Sequence, residues 1–475
     1  MAAARFFRQR AAARSGLTLA NLEALMQSRI AASLKSWLDT DPPPAAETGL
    51  RFGYGPSASD LLEDVRAAAL HPPQATQAEA RQFHIDYNAG VGLEPKFWRE
   101  AALDFRRGAI RRRIALALTS PVGFGERVFS FWADHFTTTP KSYQAMPLQV
   151  SLTDEAIRPH VAGRFVDMLK AVTLHPMMLI YLDQNLSVGD HSVYAAGRTD
   201  SGLNENLGRE LLELHTVGLD GPYDQNDVRE TANLLAGLIY RTGQGTIYDV
   251  RRAEPGTETI LGVDYPEDSV AEIHRLLDNL AAHPATALHL ARKLAVHFVA
   301  DTPPQSLIDR MAEAYLDSAG DLTAMYEVLT GSIVNRSPVP QKLRQPLEWI
   351  IACLRALGVS GADVAALPAD LFNRVIVDSL GAMGQPFDQC AGPDGWPEHE
   401  DEWLAPNLIA ARLVWARSAP EQILAALGRQ IPDPALLIAR HFPRPCGPMV
   451  TWSPRAETVQ FGVASVLCAP EFLRR

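Results

Sequence analysis

Cysteine is scarce in this chain. Only Cys353, Cys390, Cys446 and Cys468 occur in 475 residues, and no two are spaced as Cys-x-x-Cys. A zinc knuckle needs that spacing, so none is expected, and no disulfide framework is indicated. Long apolar runs are missing too. No window reaches the about 18 consecutive apolar residues that cross a bilayer, so no membrane span is expected. The start, MAAARFFRQRAAARSGLTLANLEALM, carries arginines but lacks the apolar stretch of a signal peptide; Leu19, Leu22, Leu25 and Met26 recur at helical spacing instead. As written, the chain reads as cytoplasmic. Positive charge is also in deficit. The formal net charge of -11 repels phosphate backbones and anionic membranes, and no nucleic-acid partner is expected. Finally, there is no P-loop, no His-Glu-x-x-His, no Gly-x-Ser-x-Gly and no Gly-x-Gly-x-x-Gly. The common reaction classes are therefore not signalled.

What is present is helical periodicity. Hydrophobic residues make up 47% and charged residues 21%, which places the chain among folded globular proteins. Apolar residues recur three or four apart over 17–39, 57–70, 96–118, 122–137, 153–172, 176–185, 203–217, 226–241, 268–281, 284–300, 305–318, 321–331, 345–357, 405–417 and 420–428. The fold class is all-α: a multi-helix globular bundle. We expect an N-terminal helical extension over 1–50 and a single helical domain over 51–475. Over 153–172 the stripe is Ile157, Val161, Phe165, Met168 and Val172, with Thr153 as N-cap and Asp154 and Glu155 in the first turn. Residues 246–265 hold two β-rich runs around Pro255-Gly256, which predicts a small β-hairpin excursion.

His-Pro occurs at His71-Pro72, His175-Pro176 and His283-Pro284, and helical patterns follow the last two directly. Proline suits the first helical position, so His175 and His283 read as N-caps, with a chemical role as the alternative. In NENLGRELLELHTVGLDGPY, residues 204–223, Asn206, Glu210 and Glu213 fall at i, i+4 and i+7 and share a helix face, with Arg209 beside them. If that face is buried, its carboxylates must be paired, protonated or metal-bound. His215 follows at the helix end, where an imidazolium would suit the dipole. In FSFWADHFTTTPK, His135 lies among Phe129, Trp132 and Phe136, either as a satisfied core histidine or as a neutral ligand or base. Trp396 and Trp403 sit in a turn-rich acidic segment and read as core plugs or as an aromatic wall for a ligand. The arginines in FRRGAIRRR, Arg106 to Arg113, form either a solvated, ion-paired face or an anion site.

With these clusters in view, the chain resembles the bacterial family named domain of unknown function 1800. The matching pieces run from RFGYGP at 51–56 to APEFLRR at the end. They include FWADHFTTT, LHPMMLIYLD, NENLGRELLELHTVGLDGPY, HPATALHLARKLAVHFV, KLRQPLEWIIACLRALG and MGQPFDQCAGPDGWP, in family order. The resemblance implies no activity. It does imply that an exported location is open, and that a protein resembling the alkaline-phosphatase and sulfatase superfamily is a candidate partner. This chain also departs from its relatives: Ala253, Glu254, Pro255 and Gly256 replace a usual His-Asp-x-Gly turn, and Leu207-Gly208 replaces Tyr-Ala.

Two readings of function follow. In the first, an enzyme assembles its site between helices: Glu210, Glu213, His215 and Arg209 do chemistry, His135, His175, His215 and Glu210 hold zinc or iron, and Trp396, Trp403 and Asn206 line the site. Its reaction would be hydrolytic or oxidative. In the second, the same polar residues fix helix register in a scaffold or chaperone-like partner of a co-produced protein.

Overall fold

The computed structural model describes residues 57–88, 95–200, 202–334, 342–442 and 446–475. The expected 17–39 helix and the 1–50 extension lie outside them. The described chain is all-α, with two small two-stranded antiparallel sheets. Its apolar side chains collect into two cores. One runs from Leu61 to Leu329. The other joins Ile110, Ile114 and Leu118, three successive turns of the Pro95–Thr119 helix, to residues 343–473. The Pro95–Thr119 helix thus ties the two halves together.

Three helices position the candidate site. Phe124–His135 buries Phe124, Val128, Phe129, Phe131 and Trp132 in the first core. The Trp132 indole donates to Tyr326 Oη at 2.6 Å, so its one polar atom is satisfied. Pro284–Phe298 starts as its sequence demands, with His283 accepting from the Ala285 amide at 3.1 Å and Pro284 in the first turn. It buries Leu290, Ala291, Leu294 and Phe298, which leaves His289, Lys293 and His297 in one row on an adjacent face. In the second core, Pro346–Ala356 buries Trp349, Ile350, Cys353 and Leu354. Beside it the chain end pairs antiparallel with 342–344: Arg475 donates its amide to Lys342 O at 2.8 Å, and Arg344 to Leu473 O at 2.8 Å.

Several expected elements are corrected. The 153–172 helix is broken. Met146–Ser151 widens into a π-helical turn at Leu152–Ile157, tightens through Arg158–His160, and resumes only at Phe165–Thr173. Pro159 has no amide to continue the helix. The backbone of 163–165 bonds elsewhere, with Phe165 donating to Gly320 O at 2.9 Å and Leu322 to Gly163 O at 3.0 Å. Thr153 is therefore no N-cap; its hydroxyl donates back to Val150 O at 3.0 Å.

The 226–241 helix ends at Leu235, and Leu238–Arg241 is strand β1, paired with β2 at Gly245–Tyr248. A β-carbon on Gly237 would lie 2.7 Å from the Tyr248 ring, so glycine allows that close return. The β excursion thus holds two hairpins. The second pairs β3 (Glu258–Ile260) with β4 (Val263–Tyr265) and turns at Leu261 and Gly262, both at positive φ; Pro255-Gly256 only connects the hairpins. Finally, 405–417 and 420–428 form one helix, Pro406–Ala426, with Pro420 inside it.

Candidate functional site

The cap prediction holds for His175. Its Nδ1 accepts from the Met177 amide at 3.1 Å, and its Nε2 lies 3.2 Å from Ser151 Oγ. The ring is fully buried, which pushes its pKa down to about 3. His175 caps the Pro176–Tyr181 helix. His135 and His215 come together, with ring centroids 6.1 Å apart, and His289 joins them at 6.3 Å from His135. Burial first, then the nearby Lys293 ammonium, lowers all three: His215 to about 3, His289 to about 4, and His135 also well down. His215 is thus no imidazolium at a helix end; it is 2% exposed and packs against Phe136 at 5.0 Å.

These rings do not converge on a common point. His135 Nε2 faces the His215 carbonyl at 3.3 Å, and His289 Nε2 faces the Leu214 carbonyl at 3.0 Å. His289 Nδ1 lies against Gly218, and His135 Nδ1 is buried without a hydrogen-bond partner among the described residues. Among the described residues, no group of three or more His, Cys, Asp or Glu could hold a metal ion. His175 and Glu210 stand apart from the trio. Glu210 is half-buried, and burial followed by Glu213 raises its pKa. The π-helical turn Leu211–His215 shifts the register of the NEN helix. Arg209 there bridges Glu205 and Glu213, each at 3.1 Å, in a half-exposed ladder, while Asn206 is exposed.

A cavity of about 260 Å³ opens between the Phe124–His135 and Pro346–Ala356 helices. Asp134, His297, Glu348, Arg127, Trp396 and Arg475 are among the residues lining it. The Trp396 amide donates to both Asp134 oxygens at 3.1 Å, yet burial, aided by the Glu398 charge, raises the Asp134 pKa to about 7. His297 Nδ1 lies 2.6 Å from Glu398 Oε1. Burial alone would depress this imidazole, but the charge and hydrogen bond of Glu398, with Glu348 behind them, raise it above its ordinary value. Asp388, another lining residue, has φ 50, a strained left-handed backbone for a side chain other than glycine. Arg113 Nη1 stands 3.9 Å from its carboxylate.

The loop carrying Trp396 closes this cavity. Trp403 is the core plug, 3% exposed, with its indole donating to Pro397 O at 2.9 Å. Trp396, 6.2 Å away, lines the cavity. The arginine-rich stretch divides its work. Arg111 donates to Leu367 O at 2.7 Å, Arg112 pairs with Asp154 at 2.7 Å, and Arg107 reaches Asp104 at 3.1 Å, so these three are structural and only Arg113 reaches the cavity. Sequence reasoning passed over Asp134, His297, Glu398 and Arg475. Only one signal was available: His289, Lys293 and His297 at i, i+4 and i+8 in HLARKLAVH.

Among the described residues no helix is long and apolar enough to cross a membrane. No curated protein and no solved structure matches the chain. A family model described as Protein of unknown function (DUF1800) matches residues 10–474, nearly the whole chain and further toward the N-terminus than the quoted motifs reach. The chain belongs to the DUF1800 family.

Proposed function

We propose that this protein is a hydrolytic enzyme whose proton-transfer pair is Asp134 and His297. One observation carries the reading: two groups whose surroundings push both pKa values upward share the wall of one cavity, and one of them is oriented by a third residue, Glu398. With Nδ1 held by Glu398, Nε2 is the atom of His297 that takes and returns a proton, beside Arg475 Nη2 at 3.4 Å and Glu348 Oε1 at 4.0 Å. Asp134, near neutrality, carries its proton in a substantial fraction of molecules.

Hydrolysis requires only these groups and water. His297 Nε2 accepts a proton as the water oxygen bonds to an electrophilic carbon of the substrate. Asp134 gives its proton to the departing oxygen or nitrogen. The two groups then exchange protons with solvent to reset. The alternation of an acid and a base near their pKa values predicts a bell-shaped pH–rate profile.

The test is a panel of chromogenic esters and amides assayed with the purified full chain. Turnover is expected, and Asp134→Asn and His297→Gln should each lower kcat/KM by about 10²- to 10⁴-fold with the melting transition retained. No turnover across the panel, or activity that survives both substitutions, overturns the reading.

A further inference from the structure

The cavity is cationic inside an acidic protein. Arg113, Arg127, Arg344, Arg355 and Arg475 line it, against Glu126, Asp134, Glu348 and Asp388. Glu126 is already matched by Arg158, which lies outside the lining and binds it at 2.6 and 3.1 Å. Arg355 is occupied by the end of the Pro95–Thr119 helix, donating to the carbonyls of Ser120 at 2.9 Å and Pro121 at 3.2 Å. Arg127 reaches one Glu348 oxygen at 3.2 Å. Arg475 differs from the others. Its Nη2 donates to His297 O at 2.9 Å, and its Nε sits 3.1 Å from the second Glu348 oxygen without hydrogen-bond alignment. Its Nη1 is buried with no hydrogen-bond partner among the described residues, on a side chain only 7% exposed.

A buried guanidinium edge without an acceptor is costly, and an arriving oxyanion would remove that cost. Among the arginines, Leu347, Ile351, Leu380 and Phe387 add apolar lining, with Phe387 under the Arg113 guanidinium at 4.8 Å. The volume suits a small molecule rather than a polymer. We infer that the cavity receives a small organic carboxylic acid or a derivative that keeps one free carboxylate, with that carboxylate on the Arg475 guanidinium and the apolar body against Leu347, Ile351, Leu380 and Phe387. This names the substrate class for the hydrolytic reading above and rests on it for the reaction. A monoanion fits the charge better than a dianion, because Glu348 and Asp388 already contribute negative charge to the same walls.

Calorimetric titration of the full chain with benzoate, phenylacetate and hexanoate tests this, with benzamide and inorganic phosphate as comparisons. The carboxylates should bind and the other two should not. Arg475→Gln should weaken carboxylate binding about 10- to 100-fold, the usual range for one hydrogen bond to a charged group. Because Arg475 is buried, Ala352→Phe provides a second route: it fills the lining without touching charge, and it should abolish binding. Failure of every carboxylate to bind, binding of phosphate or benzamide as strong as that of the acids, or undiminished binding to a folded Arg475→Gln protein overturns the inference. Turnover of neutral esters without carboxylate binding would sink this inference alone and leave the hydrolytic reading standing. Carboxylate binding without any turnover would do the reverse.

Discussion

His297 Nδ1 stands 2.6 Å from Glu398 Oε1 although the two residues are 101 positions apart. The bond joins the Pro284–Phe298 helix of the first core to the loop that precedes the last helices of the second. Lys342 anchors the same loop, with Nζ 2.6 Å from Asp301 and 3.4 Å from Glu398. Glu398→Gln keeps the shape but removes the charge. The His297 pKa should then fall, and the fold should lose about 1.5–3 kcal/mol, the range for a hydrogen bond between charged groups. An NMR titration of the imidazole and urea denaturation measure both effects, and an unmoved His297 titration would remove Glu398 as its orienting partner.

The pH dependence of stability should have two opposing limbs. Asp134 rises from 3.8 to about 7 on folding, so the folded chain holds a proton that the unfolded chain releases. Its contribution is full below about pH 4 and is lost as pH rises through 7. His297, also raised, acts in the same direction: its contribution is complete below its ordinary pKa and is lost above it. His135, His175, His215 and His289 are depressed bases, so their contributions are present above about pH 6.5 and are lost as pH falls through their folded values. Asp134→Asn should flatten the loss between pH 5 and 7, whereas His215→Phe should move acid unfolding to lower pH. Denaturation midpoints across pH 3 to 8 check both slopes.

How much of this was legible follows from the physics of each feature. A stripe such as Phe129, Trp132 and Phe136 predicts a buried helix face because apolar spacing alone decides it. His175 and His283 were readable as caps because proline fixes the first turn. The break at 158–164 carried one readable signal, Pro159, and the break at 236–238 carried only Gly237; neither showed where the chain would bond instead. Their backbone bonds go to Gly320 and to the β1–β2 hairpin, partners that helical periodicity does not encode. The NEN helix hid a detail of the same kind: a π-helical turn at Leu211–His215, which helical periodicity does not encode. The cavity was the least legible feature. The contact of Trp396 with Asp134 spans 262 positions, and the Asp134 pKa arises from burial that only the assembled fold creates.

Glu126 and Arg158 form the most deeply buried ion pair of the described chain, with side chains 3% and 2% exposed. Arg158 also lies over the Phe129 ring, 3.6 Å from its centroid. Glu126→Ala leaves that guanidinium with only the longer contact to Asp154 at 3.8 Å, and a stability loss of up to about 3–5 kcal/mol is expected. The surface ladder at Arg209 makes the contrast. With its guanidinium 36% exposed, Arg209→Ala should cost less than about 1 kcal/mol and leave turnover unchanged. Urea denaturation of the two variants side by side decides the matter, and equal losses would refute the distinction.

Gly395 is held at φ 86 directly beneath Asp134, and a β-carbon there would lie 2.8 Å from Asp134 Oδ2. Gly395→Ala therefore meets two penalties, a left-handed backbone and a carboxylate in the way. The loop should lift, and the Trp396 amide should leave Asp134. That amide is what restrains the Asp134 pKa, so its loss lets burial push the pKa further up. Two changes should appear together: a stability loss of about 1–3 kcal/mol, the cost of a strained backbone position, and an upward shift of the Asp134 limb in the pH–rate profile. Gly381→Ala is the control, because Gly381 is helical with open space at its β-carbon, and alanine there should raise stability by about 0.5–1 kcal/mol. A Gly395→Ala protein that loses stability but keeps the wild-type pH–rate limb would separate the loop from the proton chemistry of Asp134.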